Sequence, residues 1–203
     1  MIALIDYKIG NLRSVINAIE KIGQKAVLVK KPEELKNYDR AILPGVGAFG
    51  DGMRFLNESG MSEAVKEFAN SGKPLLGICL GMQLLFDKSS EFGSNSGLGL
   101  IEGIVTAFDK TQFKTPLKVP HVGWNSFKIK QDSPLLKGVQ DKAYLYFVHS
   151  YHAICDKKYI IASTNYGYDF PSIVQKGSIY GFQPHPEKSH ENGLKILKNF
   201  TEI

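Results

Sequence analysis

The chain has 203 residues, 43% hydrophobic and 22% charged, the balance of an ordinary globular protein, and that length sustains a core without disulfides or metals. Lys and Arg (25) exceed Asp and Glu (20) for a net charge of +5, yet only Arg13, Arg40 and Arg54 carry the forked donors suited to reading bases, so no nucleic-acid partner is expected. No apolar run reaches the ~18 residues of a membrane span, and Met1 to Asp6 lacks the basic start and long apolar stretch of a secretion signal, so the expectation is a cytoplasmic protein with no membrane partner.

Met1 to Asp6 is a short apolar strand, followed by Gly10-Asn11 and then Leu12, Val15, Ile16, Ile19 and Ile22 at helical spacing, with Asn11 as the N-cap and Gly23 as the stop. Strands at 26–29 and 40–43 flank a short helix that opens on Pro32. Helices over 51–57 and 62–70 lead to a buried-type strand over 73–78. This half reads as a parallel sheet wrapped by helices.

The second half changes to short strand patterns at 103–108, 125–129, 144–151, 160–164, 172–175 and 179–183, and only 191–200 is again helical. The Ser- and Gly-containing stretch 87–99 reads as a loop. The expected architecture is one α/β domain over residues 1–203, three-layered, with a mainly parallel central sheet flanked by helices and antiparallel strands added at an edge.

Gly77-Ile78-Cys79-Leu80-Gly81 stands between that buried strand and an apolar segment, 82–86, that can be a helix: a nucleophile elbow with Cys in the serine position. Small residues on either side allow the sharp turn that pushes the thiol outward. A helix N-terminus beside it favours the thiolate, and the Leu80 amide is placed to donate to an oxyanion. A buried structural cysteine is the alternative for Cys79 and the preferred reading for Cys155, which has no comparable setting. Two cysteines are too few for a zinc cluster or a disulfide framework.

A thiol nucleophile needs a base. His185 in Gln183-Pro184-His185-Pro186-Glu187 follows a strand candidate, is stiffened by proline on both sides, and has Glu187 near enough to orient its ring. Such pairs also occur by chance on surfaces. What favours chemistry is the elbow, together with the habit of parallel sheets of placing sites at strand ends. His121 and His152 carry no independent signal and are expected at the surface or lining a pocket. No helix-spaced His pair or His/carboxylate cluster is present, so neither a metal nor a cofactor is expected.

With Cys79 at the elbow and His185-Pro186-Glu187 as the distal pair, the chain resembles the class I (triad) glutamine amidotransferases. The segments 44–53, 120–125 and 146–151 extend the likeness nearly end to end, toward those members that supply ammonia for imidazole glycerol phosphate and AICAR. One departure is Pro184, where the family more often has Phe. The resemblance implies hydrolysis of L-glutamine through a thioester on Cys79, with His185 moving the proton and Glu187 orienting it. It implies oxyanion donors at Val46 and Leu80, the Val46 peptide needing to reorient first. It also implies substrate contacts from Gly47, Gln83, His149, Ser150 and Tyr151.

A cyclase/synthase subunit forming a heterodimer would face Pro120, Val122, Trp124 and Lys188, although a lone Trp is as readily core as interface. Two other readings stand beside this one. A paralogue would send ammonia to a surface-sugar precursor, and a stand-alone cysteine hydrolase would need no partner.

Overall fold

The computed structural model describes all 203 residues. In chain order it holds β1 (Ile2–Ile5), α1 (Leu12–Lys21), β2 (Ala26–Val29), α2 (Pro32–Leu35), β3 (Arg40–Leu43), α3 (Phe49–Glu58), α4 (Met61–Asn70), β4 (Leu75–Ile78) and α5 (Leu80–Leu84). These are followed by β5 (Phe86–Ser89), β6 (Asn95–Ser96), β7 (Ile101–Ala107), β8 (His121–Ile129), β9 (Tyr144–His149), β10 (Tyr151–Cys155), β11 (Ile160–Tyr166), β12 (Tyr168–Lys176), β13 (Ile179–Phe182) and α6 (His190–Glu202).

A nine-stranded sheet in the order β2-β1-β3-β4-β13-β12-β11-β8-β9 forms the centre. Its first five strands are parallel, and the last four continue antiparallel. The parallel strands are buried on both faces, so alternate residues serve two cores. Ala3, Ile5, Ala41, Leu43 and Leu75 face a core that includes Met53, Leu56, Val65 and Phe68 of α3 and α4. Ile2, Leu4, Ile42, Leu76 and Ile78 face one that includes Val15 and Ile19 of α1 and Ile196, Leu197 and Phe200 of α6.

A second sheet, β10-β7-β5-β6, lies on the α3–α4 side, where Phe86, Ile101, Val105 and Ala153 join the first core. It corrects two expectations. Residues 87–99 are not simply a loop, because β5 and β6 lie in and beside them. The exposed Asp87 and Lys88 conceal a strand whose order comes from pairing with β7.

The continuous strand expected over 144–151 breaks at Ser150, β9 closing the large sheet and β10 entering the small one. Strand propensity is high on both sides of this break. What turns the chain is tertiary pairing, including the Phe108 N–H donating to the Ser150 carbonyl at 3.2 Å.

The helix expected over 82–86 is shifted toward the N-terminus, at Leu80–Leu84, and Phe86 already belongs to β5. Asn11 does occupy the N-cap position of α1, but its side chain makes no capping bond.

Candidate active site

Three neighbouring strands, β3, β4 and β13, end on the same side of the sheet. Pro44–Gly47 follows β3, Cys79 follows β4, and Gln183–His185 follows β13. This is where a parallel sheet opens a crevice at its strand ends.

Cys79 sits at φ +54°, ψ −111°, a conformation costly for any residue with a Cβ, and two glycines make it attainable. A Cβ at Gly77 would meet the Gly81 carbonyl, and one at Gly81 would meet the Leu43 carbonyl. The elbow is pinned by the Cys79 N–H donating to the Phe182 carbonyl at 2.8 Å. α5 has only five residues, which limits the electrostatic help of its N-terminus to one turn.

His185 Nδ1 lies 2.8 Å from Glu187 Oε1, and both side chains are buried. This bond makes Nδ1 the protonated nitrogen and frees Nε2, which has no hydrogen-bond partner within the chain. Burial alone would lower the imidazole pKa, but the nearby Cys79 sulfur and the Glu187 carboxylate outweigh it and raise it.

The loop carrying His185 is fastened to β9 by two bonds and braced within itself by a third. The His185 N–H donates to the Tyr146 carbonyl at 2.8 Å, the Tyr146 N–H donates to Ser189 Oγ at 3.0 Å, and the Ser189 hydroxyl donates to the His185 carbonyl at 2.6 Å. Pro184 falls between Gln183, which donates to Ser172, and His185, and so interrupts neither bond.

A cavity of about 380 Å³ is lined by Cys79 and His185 together with Val46, Gly47, Leu80, Gln83, Pro120, His149, Ser150 and Tyr151, so the expected nucleophile, its expected base and every expected substrate contact come together. Val148 and Glu91 complete the lining. Glu91 is the residue that sequence reasoning missed: buried in the segment read as loop, its carboxylate accepts the Phe49 N–H at 2.6 Å. Nothing local marks it, because the β5–β6 ribbon is what carries it to the wall.

Family and comparison

The Glutamine amidotransferase class-I family model matches residues 3–203. The chain belongs to this family. It is 57% identical to the imidazole glycerol phosphate synthase subunit HisH of Wolinella succinogenes over all of both chains, and 60% identical to the subunit of that name from Sulfurimonas denitrificans over all of this chain and 98% of that one. A PurLQS structure from Thermotoga maritima shares the fold at a TM-score of 0.79, with 19% identity, 99% of this chain and 97% of that one covered.

In this amidotransferase one backbone carbonyl orders much of the pocket wall. Tyr151 O can only accept, so His149 Nδ1, 2.8 Å away, carries the proton, and Gln83 turns its Nε2 toward the same oxygen at 3.0 Å. His149 Nε2 is then an acceptor, met by His121 Nδ1 at 3.0 Å, and His121 Nε2 in turn faces Asn125 Nδ2 at 3.3 Å. His121 and His152 are not at the surface, as the sequence had suggested. Both are buried around Phe108, and neither lines the cavity. Burial lowers the pKa of His149 to about 3 and of His121 to about 4.

The Leu80 amide is not free: it donates to the Gly45 carbonyl at 3.3 Å. The Gly45–Val46 peptide is trans, so with its carbonyl toward Leu80 its N–H points the other way. Val122 and Trp124, 56% and 45% exposed, share one face of β8, and Pro120, just before it, lines the cavity. Lys188 lies 5.8 Å from the Tyr146 ring, and Trp124 stacks on His190 at 4.9 Å.

Proposed function

We propose that this single domain hydrolyses L-glutamine to glutamate and ammonia, and that the ammonia passes to a cyclase/synthase subunit which makes imidazole glycerol phosphate and AICAR in histidine biosynthesis. The observation that carries the chemistry is the free Nε2 of His185, held by Glu187, sharing one cavity with the Cys79 thiol.

His185 Nε2 draws the thiol proton from Cys79, its raised pKa favouring imidazolium beside thiolate, and the sulfur then attacks the carboxamide carbon. The imidazolium then gives that proton to the leaving nitrogen, so ammonia departs and a thioester remains. Water, deprotonated by the same nitrogen, releases glutamate and restores the thiol. Glu187 orients the ring and stabilises the imidazolium.

The amides of Val46 and Leu80 hold the oxyanion once the Gly45–Val46 peptide has turned. Gly47, Gln83, His149, Ser150 and Tyr151 surround the amino-acid end, and the Glu91 carboxylate suits the α-ammonium. The exposed face of Pro120, Val122, Trp124 and Lys188 supports a heterodimer, as does the naming of the similar proteins as subunits of a synthase. Those same relatives favour the histidine pathway over a sugar-precursor acceptor. No helix is long and apolar enough to cross a membrane, and the site of action we propose is the cytoplasm.

A glutamine-like diazo-ketone tests this assignment. It should label Cys79, spare Cys155 and abolish ammonia release. Burial and Asp156 push the Cys155 thiol up to about 12, so labelling there instead would reject Cys79 as the nucleophile.

A further inference from the structure

The nucleophile has a neighbour that the triad does not use. Gln183, fully buried at the end of β13, places Nε2 3.8 Å from Cys79 Sγ, within reach of the large sulfur atom. Its other end, Oε1, lies 3.0 Å from Gln83 Nε2.

Which end of Gln183 faces the sulfur follows from the backbone. Tyr151 O accepts only, so the Gln83 NH₂ must face it, and the second hydrogen of that NH₂ points to Gln183. Gln183 therefore turns its oxygen to Gln83 and its NH₂ to Cys79. Reversing it would set two NH₂ groups against each other, which is repulsive, and would leave the sulfur without this donor.

We infer that Gln183 is a further catalytic residue, a fixed side-chain donor to the Cys79 sulfur, locked in the donating orientation by Gln83 and the Tyr151 carbonyl. The inference rests on Cys79 being the nucleophile. It also changes what Gln83 does: with both its amide hydrogens already engaged, Gln83 offers substrate only its oxygen.

Sulfur carries negative charge twice in the cycle, when it attacks and when the thioester collapses. Resting, the thiol lies 3.9 Å from the Val148 carbonyl, an acceptor that can hold a thiol but repels a thiolate. The Gln183 donor stabilises the charged form, and one pre-set by its neighbours does so without reorganising at the moment of reaction.

Alkylation of the full chain by iodoacetamide, followed on the Cys79 peptide across pH, reads the ionised sulfur. Gln183→Met removes the donor at similar length. Gln183→Glu keeps the acceptor that Gln83 needs and replaces the donor with an oxygen. In both, the alkylation profile should move up by about one pH unit, roughly tenfold slower at a fixed pH on its rising limb. In Gln183→Glu, glutaminase kcat should fall at least about tenfold while KM stays within about twofold, a split that a general loss of structure would not give.

If Gln183→Met does not fold, as judged by its thermal transition, Gln183→Glu carries the test alone. Profiles that superimpose on the parent in every folded variant would overturn the inference, whatever happened to kcat. Alkylation of the parent at Cys155 in place of Cys79 would overturn the functional reading, and the role of Gln183 with it.

Discussion

The Leu80 N–H donates to the Gly45 carbonyl, so one amide suited to an oxyanion is engaged by the very peptide whose opposite face carries the other, Val46 N–H. Both donors come free together if that single peptide turns over. An oxyanion donor is worth about 10²- to 10³-fold in rate. The isolated chain should therefore hydrolyse glutamine slowly, and a cyclase subunit loaded with its acceptor ligand should raise kcat by at least about 10²-fold. Steady-state rates with and without that subunit decide this, and a full rate in the isolated chain would refute it.

Tyr7 bears on the same peptide. Its buried hydroxyl donates to the Pro44 carbonyl at 2.7 Å, and a Cβ on Gly45 would meet that hydroxyl. The segment before the turning peptide is thus clamped from below. Tyr7→Phe should raise the unstimulated rate several-fold and shrink the stimulation by partner, at a stability cost of about 1–3 kcal/mol for the stranded carbonyl. Paired measurements of basal and stimulated kcat, with a urea unfolding curve, would show it. An unchanged ratio would mean the clamp has no hold on the turn.

The triad variants should fall in a fixed order. Cys79→Ala should lose glutaminase activity by roughly 10³-fold or more while remaining folded, and His185→Ala should be nearly as severe. Glu187→Gln should be milder, since the ring is also placed by the Tyr146 and Ser189 bonds to its backbone. Full activity in Glu187→Gln with only a fewfold loss in His185→Ala would send the search for a base elsewhere, though His149, lowered by burial and bonded at both nitrogens, is poorly suited.

How much of this was legible beforehand depends on how far apart the cooperating residues lie in the chain. The elbow is legible because Gly77, Cys79 and Gly81 fall within five positions, even though Gly81 makes room for the distant Leu43 carbonyl, and His185 and Glu187 are likewise close in the chain. The parallel half was readable for a similar reason: its strands are separated by helices with clear apolar spacing. Glu91, the break at Ser150 and the Gln83–Gln183 bond are set by strand pairing between distant segments, which no local pattern encodes. Trp124, undecided between core and surface, depended on which face of β8 was left uncovered.

Two groups of histidines should give stability opposite pH dependences. His121, His149 and His152 are lowered by burial, so folding disfavours their protonation and stability falls as pH drops below about 6.5. His185 is pulled down by burial, but Cys79 and Glu187 raise it to about 10, so its contribution is complete below about 6.5 and lost as pH rises through 10. Urea unfolding across pH should show His121→Gln losing less stability than the parent between pH 7 and 5, and the gap between parent and Glu187→Gln closing between about pH 7 and 10. Parallel curves in both comparisons would refute both assignments.

Trp124 joins the exposed face to the base. Its ring stacks on His190 at 4.9 Å and meets the Tyr146 ring edge-on at 6.0 Å, while the Tyr146 carbonyl accepts the His185 N–H. A subunit covering Trp124 would press on the strand that holds His185, and aromatic side chains at the centre of an interface commonly carry about 2 kcal/mol or more of binding, at the level of about 30-fold in affinity. Trp124→Ala should weaken the complex by about that factor and reduce its stimulation at saturating partner. The rate of the isolated chain should stay roughly unchanged, since Trp124 does not line the cavity. Titration of partner against glutaminase rate separates the two effects: a shifted midpoint reports binding and a lowered plateau reports transmission. A curve identical to the parent's would remove Trp124 from the interface.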